Sequence, residues 1–339
     1  MGRKFRTALV EVGAAFALLL ASLSSQAADP ADKFSIVTSR LDGSDVRRLV
    51  SDPDREMNHA RVSPDGQWIT FTRYNKRGFF GGDATEEGGY AECEIMLMRA
   101  DGRDLRSLVP PRKGMMAANG YWTESGKAIL FVSNDNPNRQ GQVSRVDVAT
   151  RRISKVNLEG DLRAADPHSV GDLLAVSVQD TAKKGMSIWV TQADGSRARQ
   201  VTKPAGTGMD PATKQALGDY DPKISPDGRR LVTMRNMGGH NWHMVVVDLK
   251  TGAERDISPT RSVDGVPEWS SDGRKLIYWH VDTGNLPRSG LYTVAPDGSN
   301  RQRIPLPRGY FYTMPAFFPG DGSGPSARII YSAQKNPQL

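Results

Sequence analysis

Residues 222–228 read Pro-Lys-Ile-Ser-Pro-Asp-Gly, and the alternating apolar run RLVTM follows them from Arg230. The same turn, complete or in a related form, recurs four more times along the chain. The further copies occupy residues 63–66, 123–126, 270–273 and 319–322, and the runs WITFTR, AILFVS, KLIYWH and RIIYS follow them. A repeated turn ahead of a strand with a two-residue period predicts a repeated β-hairpin.

A second kind of hairpin alternates with the first. Asp-Gly pairs begin at residues 42, 101, 194 and 297, and weaker copies occupy residues 143–156 and 244–257. Asp-Gly supplies the positive φ of a tight hairpin turn. Successive turns of this kind lie about 51 residues apart, which is enough for four short strands and their connections. Such repeats are typical of propeller blades, so we predict an all-β, six-bladed β-propeller with four-stranded antiparallel blades.

The two ends of the chain are predicted to share one blade. A hairpin of the second kind, at residues 34–50, comes first, and a hairpin of the first kind, at residues 314–333, comes last. Each end therefore supplies two strands to the same blade. This arrangement closes the ring and leaves no blade edge open for mispairing.

Residues 1–27 have the arrangement of a secretory signal peptide. A basic start with Arg3, Lys4 and Arg6 precedes an apolar run at residues 12–23, and small residues precede the expected cleavage after Ala27. The run is shorter than the roughly 20 apolar residues that span a bilayer. We expect residues 28–339 to form one propeller domain in the periplasm, with no membrane anchor after cleavage. An uncleaved N-terminal anchor is the alternative.

The composition narrows the classes of partner. Lys and Arg number 45 against 38 Asp and Glu, a formal charge of +7, and cleavage after residue 27 lowers that charge by two. The basic residues are scattered among acidic ones instead of forming a stripe, so no nucleic-acid partner is expected. The single cysteine, Cys93, excludes an internal disulfide framework and a zinc site of several thiolates. We expect it to be a strand residue and not a nucleophile.

The repeated motif resembles the propeller repeats of the TolB family, the periplasmic proteins of the Tol–Pal envelope system. Residues 60–66, 222–228 and 267–273 carry the resemblance, which extends over about residues 34–335. It implies a six-bladed propeller, a periplasmic location and a protein partner. TolB has an α/β domain ahead of its propeller, whereas only a few residues separate Ala28 from the first predicted strand here. We therefore expect a stand-alone TolB-like propeller, without the contacts that the α/β domain makes.

The channel face where the innermost strands begin is the predicted binding surface. The aligned positions are His59, Asn119, Asp166, Asp221, Val266 and Met314, and the first four are the candidate binding residues. A mixed ring of this kind suits a protein segment, a peptide or a glycan, whereas solvated loop tips around a water-filled channel are the alternative. Two long loops, at residues 74–91 and 203–220, are expected on the same face.

Three of the five histidines are candidate metal ligands. His240 and His243 lie between two strands of blade four, and His280 ends the corresponding strand of blade five. Three imidazoles can bind a divalent metal, and propeller-type oligogalacturonate lyases, which this chain also resembles, hold a metal with histidines. The spacing of three on irregular chain is not a defined metal motif. No G-x-S-x-G, phosphate-loop or H-E-x-x-H motif is present.

These observations lead to two functional hypotheses. The first is a non-enzymatic periplasmic scaffold that binds a protein or peptide, needs no cofactor and acts in envelope maintenance. The second is a carbohydrate-active enzyme, similar to oligogalacturonate lyase, with a divalent metal on blades four and five.

Overall fold

A computed structural model describes residues 33–336, apart from 76–91, 138–139, 161, 163, 181–184, 205, 207, 212–214, 260–261 and 283–287. The predicted signal peptide and most of the loop at residues 74–91 lie outside the described residues. So do parts of the loop at residues 203–220. Among the residues described, no helix is long and apolar enough to cross a membrane.

The described chain forms 24 strands. The first two are β1 (Ser35–Arg40) and β2 (Arg47–Val50). Blade one contains β3 (Met57–Val62), β4 (Trp68–Arg73), β5 (Glu94–Arg99) and β6 (Arg106–Val109). Blade two contains β7 (Ala117–Trp122), β8 (Ala128–Ser133), β9 (Gln142–Asp147) and β10 (Ile153–Lys155). Blade three contains β11 (Ala164–Val170), β12 (Leu173–Asp180), β13 (Gly185–Gln192) and β14 (Arg199–Gln200).

The remaining strands form two further blades and complete the shared one. Blade four contains β15 (Gly218–Ile224), β16 (Arg230–Gly238), β17 (Asn241–Asp248) and β18 (Glu254–Asp256). Blade five contains β19 (Val263–Trp269), β20 (Leu276–Val281), β21 (Gly290–Val294) and β22 (Gln302–Arg303). Blade six combines β23 (Tyr310–Phe317) and β24 (Arg328–Lys335) with β1 and β2.

The predicted closure of the ring is confirmed. Strand β1 pairs antiparallel with β24 over six residues, from Ser35 opposite Ala333 to Arg40 opposite Arg328. Blade six therefore has the strand order β2-β1-β24-β23, with two strands from each end of the chain. Both kinds of turn are found at the predicted residues. Each of them connects two antiparallel neighbouring strands of one blade.

Every innermost strand has a β-bulge at the same place. The antiparallel register shifts between Asn58 and Arg61 in β3, and between the equivalent residues of β7, β11, β15, β19 and β23. A bulge leaves an extra residue without a ladder hydrogen bond. In four blades a proline follows the first residue of the bulge, and a missing N–H is tolerated there. These prolines are Pro167, Pro222, Pro267 and Pro315.

Apolar side chains fill the spaces between neighbouring blades. Between blades six and one, for example, Ile36 and Ile330 pack with Ile69 and Phe71, and all four side chains are fully buried. Cys93 immediately precedes β5 and is also buried, which raises the pKa of its thiol. A protonated, packed thiol is a poor nucleophile. Cys93 was predicted to be a strand residue, and it lies one residue before the strand; its burial is consistent with the expectation that it is not a nucleophile.

Candidate functional site

The innermost strands place two rings of side chains in the central channel. The first ring contains the first residue of each bulge, and all six have positive φ, between 46° and 56°. Its members are His59, Asn119, Asp166, Asp221, Val266 and Met314. The second ring lies two residues further along each strand. Its members are Arg61, Tyr121, His168, Lys223, Glu268 and Ala316.

The four candidate binding residues from the sequence all lie in the first ring, within strands and not on loop tips. His59 and Asp166 are each 2% exposed, and Asp221 is 3% exposed. His59, Asp166 and Asp221 are therefore not solvated loop tips. Several loops that border the face where the inner strands begin lie outside the described residues. Ligand binding at that face stays a prediction.

A hydrogen-bonded chain joins Asn119, Asp166 and Asp221, three of the polar residues of the first ring. Asn119 Nδ2 donates to Asp166 Oδ1 at 3.3 Å, and Ser177 Oγ donates to Asp166 Oδ2 at 3.1 Å. The backbone N–H of Asp221 donates to the same Ser177 hydroxyl at 3.1 Å. Lys223 Nζ lies 3.0 Å from Asp221 Oδ1. The ring is therefore a fixed polar network on blades two, three and four.

The two aspartates of this network differ in protonation. Burial, together with the charge of Asp221, raises the pKa of Asp166 to about 7. Burial also opposes the charge of Asp221, but the ammonium of Lys223 outweighs it and holds the pKa of Asp221 below its usual value. Two close carboxylates commonly separate in this way when one has a cation beside it. One proton therefore remains at Asp166 up to near-neutral pH.

His59 is neutral in the first ring. Burial lowers the pKa of its imidazole to about 3, and the cations Arg61 and Lys223 act in the same direction, although Asp221 opposes them. The Tyr74 hydroxyl lies 3.4 Å from its Nδ1 atom. His59 therefore contributes a neutral hydrogen-bonding group to the channel.

The second ring is organised around Tyr121. Arg61 donates from Nη2 to the Tyr121 hydroxyl at 2.9 Å, and its Nε lies 3.1 Å from Glu268 Oε2. The guanidinium carbon of Arg61 and the Nζ of Lys223 lie 4.8 Å and 4.7 Å from the centroid of the Tyr121 ring. Burial opposes the charge of Arg61, but Tyr121 and Glu268 outweigh it and raise the pKa of the guanidinium. Burial also raises the pKa of Tyr121, which keeps its proton.

His168 has a fixed tautomer. Its Nδ1 accepts a hydrogen bond from the backbone N–H of Ile224 at 3.1 Å, so the proton of the neutral ring is on Nε2. That Nε2 lies 3.7 Å from Glu268 Oε1. Burial lowers the pKa of His168 well below its usual value, and the charges of Lys223 and Arg61 contribute. His168 is therefore a neutral N–H donor beside a carboxylate.

A cavity of about 410 Å³ lies over the second ring, at the face where the inner strands end. We call it the central pocket. Its floor is formed by Arg61, Tyr121, His168 and Glu268. Its walls include Trp122, Val170, Ile224, Trp269, Phe317 and Phe318, and its rim includes Pro64, Pro226 and Pro319 from the turns that follow the inner strands. The central pocket therefore combines an apolar, aromatic wall with a polar floor.

Two tryptophans fix the pocket wall. Trp122 Nε1 donates to the backbone carbonyl of Arg61 at 2.9 Å, and Trp269 Nε1 donates to that of Lys223 at 2.8 Å. In each case an indole at the end of one inner strand bonds to the second-ring residue of the preceding blade. These two bonds hold the wall and the second ring in register.

The second ring and the central pocket were missed by the sequence analysis. Side chains two residues apart in a strand lie on the same face, so the period that defined the first ring also points to Arg61 and its equivalents. In the repeated motif, Lys223 and Glu268 occupy the variable position between proline and the following apolar residue. This change of residue type at one position of the repeat was the feature of the sequence that could have indicated the second ring.

The three histidines predicted as metal ligands do not come together. His243 Nδ1 lies 2.6 Å from Asp256 Oδ2, whereas His280 Nδ1 lies 2.7 Å from Asp264 Oδ1. His240 lies in the tight turn between β16 and β17, with φ of 63°. Within the part of the chain that the structure describes, no three His, Cys, Asp or Glu residues are placed to hold a metal ion. The expected convergence is therefore not found.

Comparisons with known proteins define the class of this fold. No protein-family model and no curated protein matches the chain. The structure is similar to a TolB-like protein from Agrobacterium tumefaciens, with a TM-score of 0.64 and 12% identity over 89% of this chain and 98% of that chain. It is also similar to TolB from Acinetobacter baumannii, with a TM-score of 0.58 and 15% identity over 94% and 68% of the two chains.

An oligogalacturonate lyase in complex with manganese is similar at a TM-score of 0.50 and 12% identity, over 86% of this chain and 80% of that chain. At these identities the likeness is one of fold. The chain is a six-bladed, all-β propeller, and its fold is TolB-like.

Proposed function

We propose that this protein is a non-enzymatic periplasmic scaffold that binds a short segment of a partner protein in the central pocket. The observation that carries the proposal is the combination of an aromatic wall with a floor of fixed, mutually paired polar groups. Small pockets of this kind are usual sites of recognition. The proposed function needs no cofactor.

The floor suits a neutral polar group better than an ion. Arg61 and Glu268 neutralise each other at 3.1 Å, and both neighbouring groups, His168 and Tyr121, are uncharged. A free anion or cation entering the pocket meets one attractive and one repulsive partner. A peptide group is neutral and carries one donor and one acceptor, so it can bond with a carboxylate oxygen and an imidazole N–H together.

The floor atoms have capacity for such bonds. His168 Nε2 is 3.7 Å from its nearest carboxylate oxygen, longer than a hydrogen bond. Buried polar groups are costly when unpaired. The side chains of His168 and Glu268 are 14% and 12% exposed, so a peptide in the pocket can reach both of them and form such bonds.

The walls and the size of the pocket favour a loop tip or a chain end. A volume of about 410 Å³ is in the lower part of the range for ligand pockets. Indole and phenyl side chains bury apolar groups efficiently and are enriched where proteins bind one another. A segment with an apolar side chain against Trp122 or Trp269, and a backbone amide at the floor, fits both features.

A periplasmic location and a role in envelope maintenance are part of the proposal. The arrangement of residues 1–27 and the TolB-like fold support export. The location is tested by fractionating cells that produce the full chain and sequencing the mature N-terminus. Cleavage after Ala27 with recovery in the periplasm is expected, whereas an intact N-terminus in the cytoplasm would contradict this part.

The binding site is tested by photo-crosslinking in living cells. A photoreactive amino acid at Ser271, on the pocket rim, is expected to capture a protein partner. A matched probe at the exposed Ser299, in an outer turn that does not line the pocket, is expected not to capture it. Equal capture by both probes, or loss of capture only when His59 or Asp221 is substituted, would place the partner elsewhere.

A further inference from the structure

A second cavity, of about 670 Å³, lies on the outer side of the same face, between blades one and two. It shares no lining residue with the central pocket. Its lining comes from the start of β4, the start of β6 and two turns of blade two. We call it the interblade groove, and its polar and aromatic lining residues are Trp68, Arg106, Lys127, Asp147 and Arg151.

Trp68 organises two guanidinium groups beside this groove. The guanidinium carbons of Arg99 and Arg106 each lie 4.7 Å from the centroid of the indole ring. Arg99 is also paired with Asp104, since its Nε lies 2.6 Å from Asp104 Oδ2. Arg106 has no ion pair among the described residues. Stacking on an aromatic ring leaves the in-plane N–H donors of arginine free to bind an anion.

The groove has an excess of positive charge. Lys127 and Arg151 are exposed and, like Arg106, form no ion pair within the described ranges. The acid in the lining is Asp147, whose Oδ1 accepts bonds from the N–H and hydroxyl of Thr150, both at 2.8 Å. These bonds lower the pKa of Asp147 and turn its carboxylate toward its own turn. Three cations therefore line the groove with one carboxylate, of which one oxygen is hydrogen-bonded within its own turn.

We propose that the interblade groove is a binding site for an organic phosphate monoester. The net excess of two positive charges matches a phosphate dianion. Arg106, held by the indole, can donate two parallel hydrogen bonds to phosphate oxygens, and Lys127 and Arg151 add charge. Val148 and Ala149 provide apolar lining for the organic group attached to the phosphate.

The site is tested with phenyl phosphate as the probe, by NMR titration of the full mature protein. The indole N–H signal of Trp68, assigned with a Trp68→Phe variant, is expected to shift saturably. Benzyl alcohol, which has the ring without the phosphate, is expected to cause no such shift. A saturable shift with benzyl alcohol of equal affinity would overturn the assignment of an anion site.

Two double variants distinguish binding at the groove from non-specific attraction by the positive charge of the protein. Arg106→Gln with Lys127→Gln is expected to weaken phenyl phosphate at least tenfold. Arg48→Gln with Lys250→Gln removes the same charge from exposed positions outside the groove lining and is expected to leave the affinity within about twofold. Equal weakening by both double variants would overturn the proposal. So would the absence of saturable binding to the wild-type protein.

Two further experiments distinguish a soluble phosphate ester from a lipid headgroup. Glycerol 3-phosphate competing with phenyl phosphate points to a soluble ester. Binding to phosphatidic acid vesicles that is lost in the Arg106 and Lys127 variant points to a lipid headgroup. The proposal is also overturned if neither ligand competes with phenyl phosphate at the Trp68 signal.

Discussion

Arg61 of blade one and Glu268 of blade five form an ion pair, with Nε and Oε2 3.1 Å apart, across the channel of the propeller. These blades are not neighbours in the ring. Blade six lies between them, and its second-ring residue, Ala316, is small enough to leave the space open. The pair is therefore a direct link between blades one and five, past blade six, at the floor of the central pocket.

Removing one charge of this pair is expected to destabilise the fold. Glu268→Gln leaves the buried guanidinium of Arg61 without its carboxylate, which costs about 3 kcal/mol of unfolding free energy. The double variant Arg61→Leu with Glu268→Leu is expected to cost less than Glu268→Gln alone, because neither charge of the pair is left buried without its partner. Urea denaturation measures both. A Glu268→Gln variant as stable as wild type would show that the pair contributes nothing.

Because of Asp166, the free energy of unfolding is expected to fall as the pH rises from 4 to 7. Its pKa is raised to about 7 in the folded state from 3.8, so the unfolded chain releases this proton first. Asp166→Asn keeps a neutral group, and its stability relative to wild type should increase across this range by a few kcal/mol, then level off above pH 8. Denaturation at each pH measures the difference. The exposed Asp172→Asn serves as a matched control, and a difference for Asp166→Asn that is independent of pH would contradict the assignment.

His59 is expected to stay neutral in mildly acidic solution. Its pKa is lowered to about 3 by burial, whereas the unfolded chain binds a proton near pH 6.5. The stability that a neutral His59 gives is present above pH 6.5 and is lost as the pH falls toward 3. NMR of the imidazole signals at pH 5 should show a neutral ring for His59. A charged ring at that pH would show that the channel is solvated around it.

The two tryptophans of the pocket wall are expected to stabilise the fold through their N–H hydrogen bonds as well as through their buried volume. Trp269→Phe removes the donor to the Lys223 carbonyl, at 2.8 Å, and should cost about 2 kcal/mol of unfolding free energy. Trp122→Phe, which loses the equivalent bond at 2.9 Å, should have a similar cost. Thermal and urea unfolding measure both. A large cost for one and none for the other would contradict their equivalence.

The blades and their closure were predictable from the sequence because turn chemistry is local. Asp-Gly and Ser-Pro-Asp-Gly turns fix hairpins whatever surrounds them, and the first ring followed from aligning them. The burial of His59 and Asp166 was not predictable in this way, since it depends on how six strands meet around one channel. The same holds for Arg61 and Glu268, which are 207 positions apart in the chain.

The position of the candidate histidines was not predictable for a related reason. His243 and His280 lie on neighbouring blades, as the sequence indicated. Each imidazole nevertheless bonds to a carboxylate of its own blade, Asp256 for the first and Asp264 for the second. Asp256 is 13 residues from His243, and Asp264 is 16 residues from His280. No sequence motif marks either pairing.

We propose that the pocket over Arg61, Tyr121, His168 and Glu268 binds a peptide segment. The most direct test selects peptides on the wild-type protein from a display library and measures their affinity by calorimetry. Ser169→Phe fills the pocket, because Ser169 lines it, whereas Ser125→Phe makes the same change in an exposed turn outside the lining. We predict at least tenfold weaker binding for Ser169→Phe and unchanged binding for Ser125→Phe. Equal affinities for both variants would contradict the claim.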